Sequence, residues 1–204
     1  MKTSATKQHI IDAALELFSV QGFEATSVGQ IADAVGIRKA SLYSHFKSKE
    51  EILETLLETL EAEYASNAPI AGVGADRVAG YDKYSVEAII TQVQGQLLFL
   101  LHDEHISKVR KLLTIEQYRL PSVAKMQTAH VYTGILDYNK QLISALIENG
   151  VLIDGDVEIM AAQLAFPVSA WLNLCDREPE REHEVMVLIE KHILQYFEAY
   201  GRKK

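Results

Sequence analysis

The chain of 204 residues has a single cysteine, Cys175, so no internal disulfide can hold it together, and a lone thiol fits a reducing compartment. It also lacks long apolar runs. The longest strongly apolar one, Leu97 to Leu101, falls far short of the roughly 20 residues that a membrane-spanning helix needs. The opening MKTSATKQHII is polar and leads into charged sequence, with no apolar block of signal-peptide length. A cytoplasmic protein that makes no membrane contact is therefore expected. Strand-like alternation is missing from residue 83 onward, and there is neither an internal repeat nor a low-complexity tract. What is present is 48% apolar residues in helical spacing, enough for a sizeable all-α core.

The first helical pattern runs from about Thr6 to Val20. Its buried face is Ile10, Ile11, Ala14, Leu15, Leu17 and Phe18, Gly22 closes it, and Phe23 plugs the same core. Two short helical patterns separated by a glycine turn follow, from Thr26 to Lys49. Ser27 can cap the first, with Gln30 three residues on closing a capping box, and Val28, Ile31, Ala32 and Val35 form one apolar stripe that Gly36 ends. The second runs about Arg38 to Phe46, with Leu42 and Phe46 facing inward. Its other side holds Arg38, Lys39, Ala40, Ser41, Tyr43 and Ser44, all candidates to contact base edges. Lys49 starts the next helix after Ser48, where a cation and free backbone N–H groups can hold a phosphate together. That helix carries Ile52, Leu53, Leu56, Leu57 and Leu60, with Glu50 and Glu51 in its first turn.

Residues 5–53 resemble the DNA-binding domain of the TetR (tetracycline-repressor) family of bacterial transcription regulators. The carrying residues are Phe18, Gly22 and Phe23, then Thr26-Ser27-Val28, Ile31-Ala32 and Val35-Gly36, then Leu42-Tyr43, His45-Phe46, Ser48-Lys49-Glu50 and Ile52. The resemblance implies that Tyr43 contacts DNA and that His45 and Lys49 meet phosphates. Ser27, Val28 and Lys47 complete the expected phosphate set. One departure is that a small, flexible residue such as glycine is common in the family where Ala40 stands.

Charge is divided unevenly. Residues 1–49 carry six Lys and Arg against four Asp and Glu, whereas residues 50–204 carry fourteen against twenty-four, so the net −8 is a slightly basic end joined to an acidic remainder. Non-specific phosphate attraction is then weak, and affinity must come from placed contacts and two copies of the domain.

The expected division is a helix-turn-helix domain over 1–47, a connecting helix over 48–66 and a regulatory and dimerisation domain over 67–204, with a loop at Asn67 to Asp82. Helices are expected at about 84–102, 104–118, 121–149, 156–175 and 182–200, with Pro167 kinking the fourth of these. The last two carry the widest apolar stripes: Met160, Leu164 and Trp171, then Val185, Leu188, Ile189, His192, Ile193 and Tyr196. By pattern alone these are core or interface; the resemblance implies a four-helix bundle between two copies. It also implies a small-molecule pocket in the middle helices, whose occupation changes the separation of the two DNA-binding domains. Gln92, Gln96, Phe99, Tyr118, Met126, His130, Tyr132, Tyr138 and Trp171 are its candidate lining, apolar surface with a few polar tips. The same composition also suits an ordinary helical core.

The competing class is an all-helical enzyme or a metal- or ligand-binding bundle with a fortuitous helix-turn-helix. His102 and His105 are three apart, but at an expected junction of charged turn residues. Glu180 and His183 give one Glu-x-x-His where a di-iron bundle needs two and further carboxylates. Gly72 and Gly74 lack the lysine and strand of a phosphate loop. No metal, cofactor or catalytic group is therefore expected, and the expected partners are double-stranded operator DNA, a second copy and a small-molecule effector.

Overall fold

The computed structural model describes residues 5–66 and 85–203, so the loop expected over residues 67–82 lies outside the described residues. The helices are α1 Ala5–Ala25, α2 Val28–Val35, α3 Lys39–Tyr43, α4 Lys49–Ser66, α5 Val86–His102, α6 Glu104–Glu116, α7 Pro121–Met126, α8 Gly134–Glu148, α9 Val157–Arg177 and α10 Glu182–Tyr200. A π-helical turn, Gln127–Thr133, separates α7 from α8 where one continuous helix was expected, and a 3₁₀ turn, Pro179–Arg181, precedes α10. The only β pairing among the described residues is an isolated antiparallel bridge between Leu152 and Gly201. The fold is all-α.

The chain forms two compact units: Met1–Asn67 with Glu104–Thr128, and Ala68–Asp103 with Ala129–Lys204. A division read along the chain does not anticipate the first of these, which recruits α6 and α7 from beyond residue 100. The physical reason is a shared core. Val109, Leu112 and Leu113 on α6 and Val123 and Met126 on α7 are buried in one cluster with Ile10, Phe18, Ile31, Leu42, Phe46, Ile52 and Leu56 of the N-terminal helices. Phe18 and Phe23 meet edge to face inside it, with ring centroids 5.4 Å apart.

α1 breaks at Gly22, where φ 83° and ψ 166° describe a backbone conformation open essentially to glycine alone. A Cβ there would also lie 3.0 Å from Glu116 Oε1. The chain therefore leaves α1 sharply and turns into α2 over a few residues.

In the second unit, Ile89 and Leu97 of α5, Leu136, Ile143 and Leu146 of α8, Met160 and Leu164 of α9, and Val185, Ile189, Ile193 and Tyr196 of α10 form one buried cluster. α9 is capped by Asp156, whose Oδ1 accepts from the N–H groups of Glu158 and Ile159 at 3.0 and 3.1 Å, and it continues past Pro167 to Arg177. By length and composition α9 would also suit a membrane, but Met160, Ala161, Leu164, Ala165 and Cys175 are buried within the protein.

This packing closes off six of the nine residues expected at a dimer interface. Met160, Leu164, Val185, Ile189, Ile193 and Tyr196 are all within 5% of full burial inside a single chain, so a second copy cannot cover them. The Tyr196 hydroxyl donates to the Met160 carbonyl at 3.1 Å, and desolvation holds that phenol well above its ordinary pKa. Periodicity reports that a helix has an apolar face; it does not report which neighbour covers it. Trp171, Leu188 and His192 are half-buried, while Ile159 on α9 and Val187 and Leu194 on α10 are the large apolar side chains these helices leave exposed. Ile193→Ala should therefore lower stability by about 2–5 kcal/mol, read from urea unfolding, because it empties part of a closed core. A stability unchanged within error would return this residue to an interface.

Candidate nucleic-acid interface

Both ends of α2 are fixed by side-chain and backbone chemistry legible in the sequence. The N-cap Ser27 accepts the Gln30 N–H on its Oγ at 3.2 Å, and Gln30 Oε1 accepts the Ser27 N–H at 2.8 Å, which completes the capping box. At the other end Gly36 is left-handed, with φ 77° and ψ 27°, and the Ile37 N–H closes on the Ala32 carbonyl at 3.0 Å. The chain thus turns into α3 over three residues.

α3 is shorter than its pattern, Lys39–Tyr43 instead of Arg38 to Phe46. The Ser44 hydroxyl donates to the Ser41 carbonyl at 2.6 Å, a local bond that competes with continuing the helix, and His45 and Phe46 close on Leu42 in a turn. The anchoring is as expected: Leu42 and Phe46 are 0% and 1% exposed. Arg38, Lys39, Ala40, Ser41, Tyr43 and Ser44, the six candidate base readers, are all exposed. The Lys39 ammonium lies 6.0 Å from the Tyr43 ring centroid, which leaves both within reach of a common partner.

Of the residues expected to meet phosphates, Ser27 and Lys47 are exposed, and Val28 and His45 are half-buried. Lys49 is a correction. Its Nζ donates to the carbonyls of Phe23 at 2.6 Å, Thr26 at 2.9 Å and Glu24 at 3.4 Å, and lies 4.1 Å from the centroid of the Phe23 ring. An ammonium has three N–H donors, and these acceptors take all of them. Two backbone N–H groups beside it are engaged too. The Glu51 N–H donates to Ser48 Oγ at 3.2 Å, and Glu51 Oε2 reaches back to the Lys47 N–H at 2.5 Å. Backbone and Ser48 hydrogen bonds hold the exposed Glu50 carboxyl below its ordinary range. The start of α4 therefore presents two carboxylates where a phosphate was expected. The sequence signal that could have revealed this was Glu50-Glu51, which satisfies a helix N-terminus internally.

The candidate pocket residues do not stay together. Met126 is 3% exposed within the first unit's core and Tyr118, in the same unit, is 91% exposed, so neither lines a site in the second unit. Composition placed them in one pocket, although Tyr118 closes the helix expected over 104–118 and Met126 lies near the start of the one expected over 121–149. In the second unit Gln92 Nε2 donates to the Tyr138 hydroxyl at 2.6 Å, and desolvation raises the Tyr138 pKa. Tyr132 stacks on Phe166 with centroids 5.2 Å apart, and Trp171 meets His192 edge to face at 5.6 Å, while His192 Nε2 contacts the Leu164 carbonyl at 3.1 Å. Gln96, Phe99 and His130 are half-buried. Among the described residues no group of three His, Cys, Asp or Glu side chains stands close enough to hold a metal ion.

A capped eight-residue helix, a left-handed glycine and a short second helix with one buried and one open face define a helix-turn-helix protein. Residues 10–56 match the family described as bacterial regulatory proteins, tetR family. It is 42% identical over 71 residues to the HTH-type transcriptional regulator AcrR of Shigella flexneri, 31% of this chain and 33% of that protein. It is 31% identical over 144 residues to the HTH-type transcriptional repressor KstR2 of Rhodococcus jostii (strain RHA1), covering 66% of this chain and 65% of the relative. The chain thus spans from about a third to about two thirds of these curated relatives. The solved structure of the flavonoid-responsive regulator FrrA superposes with a TM-score of 0.62 at 25% identity, over 99% of this chain and all of that one.

The capping box gives the first test of the site. Ser27→Ala should cost about 1 kcal/mol of stability in urea unfolding, because one helix N–H loses its acceptor and the reciprocal Gln30 bond loses its anchor. No change would mean that α2 is positioned by packing alone.

Proposed function

We propose that this chain is a dimeric, sequence-specific DNA-binding regulator of transcription, a repressor that a small molecule releases from a palindromic operator. The observation that carries the reading is the open face of α3, where Arg38, Lys39, Ala40, Ser41, Tyr43 and Ser44 are exposed beside the fully buried Leu42 and Phe46. Arginine, lysine and tyrosine supply donors and stacking surface for base edges in the major groove, while Lys47, Ser27, Val28 and His45 flank them for the backbone. The repressor assignment draws on KstR2, named as a repressor, and the effector on FrrA, named as flavonoid-responsive. On this reading the chain is a cytoplasmic regulator with no catalytic role, and the protein works without cofactor or metal.

Two copies are needed because one short helix reads only a few base pairs, and a two-fold dimer presents two such helices about 34 Å apart, one turn of B-DNA. The exposed stripe of α10, Val187 and Leu194, with Ile159 of α9, is the proposed contact between copies. The effector is an apolar molecule with a few polar groups, taken up in the second unit near Gln92, Gln96, Phe99, His130, Tyr132, Tyr138 and Trp171. It must bind the DNA-incompetent state more tightly, by about 1.4 kcal/mol for each tenfold loss of operator affinity.

Tyr43→Ala and Lys47→Ala separate base reading from phosphate contact. With a duplex selected from a random library by the unaltered protein, Lys47→Ala should weaken selected and scrambled duplexes alike and lower the salt slope by about one unit. Tyr43→Ala should lose preference for the selected duplex and keep the salt slope; the reverse pattern would exchange the two roles. Leu194→Glu should dissociate the dimer at micromolar concentration in sedimentation, since a carboxylate would be buried unpaired. A variant that stayed dimeric would move the interface off α10.

A further inference from the structure

Between the break in α1 at Gly22 and the N-cap of α2 the backbone runs to Thr26, and side chains hold several of its polar groups. The Gly22 carbonyl accepts from Thr26 Oγ1 at 2.8 Å, and that hydroxyl accepts from Gln21 Nε2 at 3.0 Å. Phe23 is gripped from both sides. Its N–H donates to Glu116 Oε1 at 2.7 Å, and its carbonyl accepts from Lys49 Nζ at 2.6 Å, the same ammonium that reaches the Thr26 and Glu24 carbonyls and covers the Phe23 ring. Lys49 comes from the first turn of α4 and Glu116 from the end of α6, so two helices distant in sequence hold one short segment.

Glu116 is 1% exposed, and its Oε2 has no hydrogen-bond partner among the described residues. A carboxyl so placed adds little net stability, because desolvation offsets most of its single bond. Its effect is directional. It fixes where the Phe23 N–H points, and Gly22, lacking a Cβ, lets it approach. Thr26 is also 1% exposed and directly precedes Ser27, so whatever fixes this segment fixes the entry of α2, on which α3 packs.

We propose that Lys49 and Glu116 are positioning residues for DNA reading, a two-sided clamp on Phe23 to Thr26 that sets the angle at which α2 and α3 are presented. The inference rests on the DNA-binding reading above and replaces a phosphate role for the Lys49 side chain. A phosphate ligand and a clamp predict different outcomes for the same substitution. Losing a phosphate ligand weakens every sequence alike and releases one counterion fewer. Losing the clamp tilts the reading face, which harms base contacts while leaving the sequence-independent attraction in place.

The test uses the full chain, a duplex that the unaltered protein selects from a random library, and a scrambled duplex of equal length, each titrated across salt concentrations. Lys49→Met should bind the selected duplex about tenfold more weakly, the loss of roughly one charge-assisted hydrogen bond, with the scrambled duplex within about twofold and the salt slope unchanged. Lys49→Arg, which retains donors, should recover most of the loss, and Glu116→Leu should behave like Lys49→Met with Glu116→Gln milder. Equal weakening of both duplexes with a salt slope lower by about one unit overturns the clamp, as does unchanged binding by Lys49→Met. A second arm needs no DNA: amide exchange at Phe23 to Ser27 should rise about tenfold in Lys49→Met, while Ile10 to Phe18 stay protected. Uniform loss of protection would mean general destabilisation and overturn the positioning role. If the unaltered chain selects no duplex at all, the DNA reading itself falls; a selected duplex indifferent to these variants sinks the clamp alone.

Discussion

Short helices are mostly ends, and every end leaves four N–H or four carbonyl groups without a partner inside the helix. α2 has eight residues and α3 five, so the constraint that governs the first unit is how their backbone polar groups are satisfied. The answer is a run of side chains at fixed places: Ser27 and Gln30 at the start of α2, Gly36 at its end, Ser48 and Glu51 at the start of α4, and Lys49 on the carbonyls at the end of α1. With those groups satisfied, Leu42 and Phe46 can anchor a five-residue helix by one side only. The other side is then left to solvent and to a partner.

The charge pattern adds to this constraint. An excess of two positive charges over residues 1–49 provides little long-range attraction for a polyanion, and Glu50 and Glu51 at the start of α4 reduce it locally. Recognition under those conditions depends on geometry more than on charge. A slight change in the presentation of α3 therefore matters more here than in a strongly basic domain, where non-specific contacts would hold the protein on DNA regardless.

The sequence disclosed local structure well and partnership poorly. Ser27, Gln30 and Gly36 announced α2 to the residue, because capping and left-handed turns are decided by side chains a few positions apart. The same holds for Leu42 and Phe46, and so for the exposed face opposite them. Lys49 was misread because a cation at a helix N-terminus suits a phosphate and a set of carbonyls equally, and only the fold brings Phe23, 26 residues earlier, within 2.6 Å. Met126 was assigned to the pocket for a related reason. An apolar stripe is defined by its own helix, whereas the core it joins is defined by long-range packing, here with Ile10, Phe18 and their neighbours.

α10 shows how far that distinction reaches. Val185, Ile189, Ile193 and Tyr196 recur at helical spacing and are closed off within the chain, while Val187 and Leu194, seven apart, lie on a second stripe of the same helix and stay exposed. One helix thus carries two apolar faces, one buried and one exposed. The inner face contributes to the core of the second unit. The outer face is too narrow to stabilise a fold but suited to hold an already folded copy in register. If folding and association are separate in this way, the spacing of the two copies can change without unfolding either one, and that is the freedom an effector needs if it is to move one dimer between two separations on DNA.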